Sequence, residues 1–217
     1  MKKTLAILAL LTTMVILLTA CGKTTQTKNS GTTAANATMA PQATLDPSLT
    51  NNKVNITISL ENGEEIKAEL YPDVAPITVE NFVKLVNENF YDGLIFHRVI
   101  PGFMIQGGGF TADLEQKEAQ SIKGEFSENG VKNDLKHTRG VLSMARTQVQ
   151  DSASSQFFIM HEDAPHLDGQ YAAFGIVTDG MDVVDEIAKT ETETNMEARM
   201  ENIPVEPVVI KTITIDE

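Results

Sequence analysis

Between residues 54 and 215 the apolar side chains come in short runs, several alternating with polar ones, and clusters of Gly, Pro, Asp or Ser separate the runs. A period of two sends successive side chains to opposite faces, the pattern of a half-buried strand. Val54, Ile56, Ile58 and Leu60 alternate with Asn55, Thr57 and Ser59, and Asn62-Gly63 follows, a pair suited to a type I′ hairpin turn. Ile66, Ala68 and Leu70 alternate on the return, and further runs lie at 94–99, 103–106, 141–145, 156–160 and 172–177. A β-branched run, Val208–Ile215, follows Pro204 and Pro207. Helical spacing appears after Pro76 (Val79, Phe82, Val83, Val86, with Thr78 a candidate N-cap) and over Met181–Lys189 (Met181, Val184, Ile187, Ala188). Eight strands and two helices predict a mainly β domain, a closed eight-stranded antiparallel β-barrel, since closure removes exposed edges.

Composition narrows the chemistry. Hydrophobic residues make up 41% of the 217, enough for a core. Seventeen basic against 30 acidic residues give a net charge of −13, which opposes nucleic-acid binding. The single cysteine, Cys21, excludes an internal disulfide and any multi-cysteine metal site. His161 and His166 are five apart with Pro165 between them, unsuited to a helical zinc pair, so no metal or cofactor is expected. Gly107-Gly108-Gly109 lacks the Lys-Ser/Thr of a phosphate loop. His97 and His137 read as structural, and the acidic stretch 191–201 as a solvated excursion before the last strand.

One segment is unusual on physical grounds. Phe96-His97-Arg98-Val99-Ile100-Pro101-Gly102-Phe103-Met104-Ile105-Gln106 sets an arginine and a glutamine among large apolar side chains on neighbouring strands. If both polar groups face the same way as Phe103 and Met104, they rim an apolar hollow for a small ligand or peptide. The alternative is a barrel interior with Arg98 in a structural ion pair, and the residues alone leave both open.

The N-terminus reads as an address. Lys2 and Lys3 precede an apolar run, Leu5 to Leu18, broken only by Thr12 and Thr13. A run of that length falls short of the ~20 residues that span a bilayer and fits a secretory signal. Leu18-Thr19-Ala20-Cys21 resembles the lipobox of bacterial lipoproteins. That resemblance implies a diacylglyceryl group on Cys21, cleavage before it, and a place on the extracytoplasmic side of a bacterial cell membrane. Residues 22 to about 52, rich in Thr, Asn, Ala, Ser and Gln without apolar periodicity, read as a flexible tether. The expected organisation is a signal at 1–20, lipidated cysteine and linker at 21–52, and a globular domain at 53–217.

The 96–110 segment resembles the signature of the cyclophilin peptidyl-prolyl isomerases. The likeness continues through Ile122–Phe126, Leu135–Thr138, Gly140–Ala145, Ser154–Ile159, Leu167-Asp168-Gly169 and Phe174-Gly175, in family order. It implies rotation about X–Pro bonds, with no covalent intermediate or metal. Arg98 matches the family's catalytic arginine. Gln106 matches the residue that hydrogen-bonds the substrate backbone and helps fix that arginine. Phe103, Met104, Phe158 and Leu167 match the walls of a proline pocket, and Ala145 and Gln156 match groove positions. His166 stands where many members carry tryptophan, Tyr171 where they carry histidine, and Arg146 where many carry asparagine. Leu114–Gln120 replaces a glycine-containing loop beside a secondary pocket. The resemblance implies proline-containing segments as partners, and the signal makes them those of exported proteins; the departure at His166 implies weakened cyclosporin affinity, and a single barrel gives no reason to expect more than a monomer. The rival reading is a non-catalytic binder of proline peptides, which would need no arginine at 98. A solute-capturing lipoprotein is disfavoured by length.

Overall fold

The computed structural model describes residues 52–216; the expected signal, Cys21 and the tether up to Asn51 lie outside the described residues. Ten strands form: β1 Val54–Leu60, β2 Glu65–Leu70, β3 Leu94–Ile100, β4 Met104–Thr111, β5 Val141–Met144, β6 Phe157–Met160, β7 Ala173–Asp179, β8 Thr192–Asn195, β9 Met200–Pro204 and β10 Ile210–Ile215. Eight make one antiparallel sheet in the order β10-β1-β2-β7-β5-β6-β4-β3. Its ends meet: Gly93 N–H donates to Ile210 O at 2.9 Å, Phe96 N–H to Val208 O at 3.0 Å, and Ile95 bridges Val209. The expected barrel is therefore present. The acidic stretch is more than an excursion, because β8 lies within it and pairs with β9, which runs on to Pro204, as a separate hairpin.

Two local expectations are corrected. Asn62 is not among the positive-φ residues, so the β1–β2 connection is not a type I′ turn. Instead Gly63 N–H donates to Leu60 O at 3.1 Å, Gly63 alone takes φ +90°, and Asn62 Oδ1 accepts the Glu64 N–H at 3.0 Å. That is the three-residue loop that ends on a left-handed glycine. Thr78 is not the N-cap of helix α1 (Pro76–Asn87); Ala75 is, with Pro76 at the first helical position. The capping carboxylate comes from distant Glu125, which accepts from Ile77 N–H (3.1 Å), Thr78 N–H (2.8 Å) and Thr78 Oγ1 (2.7 Å).

Strand alternation divides the core. Ile105, Leu142, Met144, Phe157 and Ile159 turn into the barrel, where Phe82 of α1 and Val184 and Ile187 of helix α2 (Met181–Ala188) join them. Met104, Val141, Phe158 and Met160 turn outward into a second apolar cluster with Leu135, Ala164 and Leu167. Phe157 and Phe158 are adjacent in sequence yet serve opposite faces, as a strand's period of two requires. The outer cluster underlies the site.

Candidate active site

Register builds the floor of a cup on the barrel's outer face. Arg98 on β3 pairs with Gln106 on β4, Gln106 with Phe158 on β6, and Phe158 with Ser143 on β5. Irregularities on either side of Phe96 shift the β3–β4 register, so the row depends on bulges as well as alternation. The cup encloses about 220 Å³ and is lined by Arg98, Phe103, Met104, Gln106, Ala145, Arg146, Phe158, Leu167 and Tyr171. No serine, cysteine, threonine or carboxylate is among them.

Arg98 is half-buried at the rim. Its Nη1 donates to Gln106 Oε1 at 3.4 Å, and it forms no ion pair among the described residues. The structural ion-pair reading is therefore set aside. Gln106 Nε2 in turn donates to Gln156 Oε1 at 3.0 Å. Room for Gln156 comes from Gly109, where a Cβ would lie 2.5 Å from Gln156 Cγ. Gln156 thus stands behind the cup and lines a neighbouring cavity with Lys117, Glu118 and Ser154. His97, 3% exposed, lies against the same network with Nε2 3.5 Å from Gln106 Nε2, and its buried Nδ1 has no partner. Burial, reinforced by the Arg98 charge, lowers its pKa from 6.5 to about 4, so the ring is neutral.

The opposite wall comes from the 165–171 segment. Leu167 is buried, and Tyr171 meets Phe158 edge-on with ring centroids 5.8 Å apart. His166 is exposed and does not line the cup; its ring stacks on Phe103 at 5.8 Å. Sequence reasoning noted Arg146 only as a departure, yet it is a wall residue. Its guanidinium lies over the Tyr171 ring at 4.7 Å and the Phe126 ring at 5.0 Å, and its Nε donates to Gln170 O at 2.9 Å. Its place beside Ala145, at the end of a short strand, was the available signal.

Beneath the floor, His137 Nε2 meets Ser143 Oγ at 3.0 Å and Nδ1 meets Asp168 Oδ1 at 3.1 Å. These are the atoms of a hydrolytic triad, but Ser143 is fully buried, so no substrate carbonyl reaches it. Burial lowers the His137 pKa against the pull of Asp168, and hydrogen bonds from His137 hold the Asp168 carboxyl low despite its partial burial. Among the described residues no group of three or more His, Cys, Asp or Glu could hold a metal ion.

An apolar cup with a guanidinium at its rim and no nucleophile in its lining, set on a closed β-barrel, can take a small apolar group and place a hydrogen-bond donor beside it. Comparison with known proteins gives the class. Residues 53–215 match the family described as cyclophilin type peptidyl-prolyl cis-trans isomerase/CLD. A peptidyl-prolyl cis-trans isomerase of Acinetobacter baylyi is 47% identical over 77% of this chain and 87% of its own. Peptidyl-prolyl cis-trans isomerase B of Escherichia coli is 42% identical over 72% of this chain and 96% of its own. A cyclophilin-type isomerase of Cryptosporidium parvum superposes with a TM-score of 0.65 at 28% identity, covering 76% of this chain and 99% of that one. It has also been solved in the presence of the dipeptide Ala-Pro. The chain belongs to the cyclophilin-type peptidyl-prolyl isomerase family, and its activity is cis–trans isomerisation of X–Pro bonds.

Proposed function

We propose that this isomerase acts on proline-containing segments of exported proteins from a lipid anchor on Cys21 at the outer side of a bacterial membrane, with Arg98 driving the rotation. The observation that carries the catalytic part is a guanidinium at the rim of an apolar cup, joined to Gln106 and to no carboxylate. The X–Pro barrier of about 18–20 kcal/mol comes from delocalisation of the nitrogen lone pair, and uncatalysed rotation takes tens of seconds or more. In the twisted transition state the lone pair is localised on the prolyl nitrogen. A donor directed there binds the twisted form better than the planar one, which is the binding that accelerates the step. Phe103, Met104, Phe158 and Leu167 hold the proline ring, while Gln106, steadied by Gln156, binds the substrate backbone and fixes the arginine. Ala145, His166 and Tyr171 shape the groove beyond the ring, with the Tyr171 hydroxyl available as a donor.

Support for the anchor lies in the sequence alone: the Lys2-Lys3 start, the apolar run to Leu18 and the Leu18–Cys21 box. Two acyl chains hold a protein stably where one does not. Mass spectrometry of the mature N-terminus tests it: a diacylated Cys21 is expected, and an unmodified or uncleaved terminus overturns it. A protease-coupled assay of proline isomerisation tests the arginine. Loss of at least tenfold in Arg98→Ala, about 1.4 kcal/mol of barrier, is expected. Equal rates would remove Arg98 from the rotation step, and no turnover in either protein would favour a proline-peptide binder instead.

A further inference from the structure

His161, set aside as a metal ligand, has a different task. It follows β6 directly and lies beside the Pro101–Phe103 turn that carries one wall of the cup. Backbone bonds already join the two segments: Phe103 O accepts from His161 N–H at 2.9 Å and from Glu162 N–H at 3.3 Å. The imidazole adds a third link, accepting the Gly102 N–H on Nδ1 at 3.0 Å. Gly102 itself is exposed and in the left-handed region at φ +75°. Without His161 that amide would face water, and the turn would lose its one side-chain tether among the described residues.

The acceptor role settles the tautomer. A ring whose Nδ1 accepts a hydrogen bond carries its proton on Nε2 when neutral. That Nε2 lies 3.3 Å from Asp185 Oδ1 on α2. Asp185 is in turn held by Arg139, whose Nη2 donates to its Oδ2 at 2.9 Å while Nη1 donates to His161 O at 2.7 Å. The Arg139 bond keeps the Asp185 carboxyl low and therefore ionised. The imidazole thus accepts the amide next to Phe103 on one nitrogen and sets the other beside the helix carboxylate, whose Oδ1 takes no hydrogen bond.

We propose that His161 is a positioning residue for the proline cup: as the Nε2–H tautomer it holds the Gly102 amide of the turn before Phe103 and so sets where the Phe103 wall stands. The inference rests on the cup being where substrate proline binds. His161 touches neither the cup's interior nor Arg98, so its effect falls on substrate binding more than on the rotation step.

Three replacements separate this role from general stability. In His161→Asn the side-chain oxygen can stand in for Nδ1 and accept from Gly102. His161→Gln places its amide nearer the Nε2 position and leaves Gly102 without an acceptor. His161→Leu fills the space with neither group. The readouts are KM and kcat for an Xaa-Pro peptide, hydrogen exchange of the Gly102 amide, and thermal unfolding of each variant. Expected are a slowly exchanging Gly102 amide and a near-normal KM in wild type and His161→Asn. In the Gln and Leu variants Gly102 should exchange freely and KM rise about 3- to 10-fold, the loss of roughly one neutral hydrogen bond, with kcat within about twofold. Long-range proton–nitrogen NMR of the wild type should show the Nε2–H form. The proposal is overturned if the three variants share one KM, if KM follows only the unfolding temperature, or if the Nδ1–H tautomer is found. Were the cup not the substrate site, Gly102 exchange would sort the variants while KM did not, a result that also overturns it. Failure of the isomerase assignment itself would appear separately, as a wild type without turnover.

Discussion

Lowering the pH from 8 to 5 should destabilise the barrel by about 2 kcal/mol through His97 alone. The ring is 3% exposed, its Nδ1 has no hydrogen-bond partner, and Arg98 is its sequence neighbour. A proton there would be both desolvated and repelled, which is why the pKa falls from 6.5 to about 4. The unfolded chain takes up this proton below about pH 6.5, the folded chain only below about pH 4. Between those values the unfolded state holds more protons, so stability falls as the pH falls through that window and the loss levels off beneath it. The full loss is about 3 kcal/mol, of which roughly two-thirds is reached by pH 5. For a domain of this size 2 kcal/mol corresponds to about 4–8 °C in Tm. Urea unfolding of wild type and His97→Gln at half-unit steps from pH 8 to 4 isolates the effect. His137 and the carboxylates titrate in both proteins and cancel in the difference. The two curves should converge toward low pH by about 2–3 kcal/mol relative to pH 8. Parallel curves would refute the reasoning and show that His97 folds with its proton.

Three further outcomes follow from particular contacts. Gly109→Ala would place a Cβ 2.5 Å from Gln156 Cγ, displacing the side chain that steadies Gln106; kcat/KM should fall several-fold, and an unchanged value would remove Gln156 from the site. Glu125→Ala strips α1 of a cap that satisfies two backbone amides and a hydroxyl, so urea unfolding should show a loss of about 2–4 kcal/mol; under 0.5 would mean water replaces it freely. Cyclosporin should inhibit weakly, because exposed His166, stacked on Phe103, lacks the indole donor carried at that position by tryptophan-containing members. An inhibition constant as tight as theirs would contradict this.

The eight barrel strands were legible as short apolar runs: 54–60 and 66–70 alternate directly, while runs such as 156–160, apolar from Phe157 on, are buried on both faces and show only their length and the breaks around them. The β8–β9 hairpin was hidden because its residues are mostly polar and only Ile203 and Pro204 are buried, leaving too little apolar face to write a pattern. The cap of α1 was misplaced for another reason: Glu125 lies 47 residues from Thr78, and local spacing carries no trace of such a partner. Most cup residues were readable only through the resemblance, since the residues alone left a pocket and a structural ion pair both open; the row of Arg98, Gln106 and Phe158 emerges from the strand pairing. Gln156 and His166 sit just outside the lining, and Arg146 sits inside it, because position there depends on loop geometry and aromatic stacking rather than on strand period. His161's bond to Gly102 joins residues 59 apart and had no sequence signature.

The role of the guanidinium is tested most directly by one NMR titration of a proline tetrapeptide with wild type and Arg98→Ala, which returns the dissociation constant and the on-enzyme cis–trans exchange rate together. Because the cup's apolar walls remain, the dissociation constant should stay within about threefold while exchange slows at least tenfold. An exchange rate that survives the loss of Arg98, or one that falls only in step with affinity, would contradict the assignment.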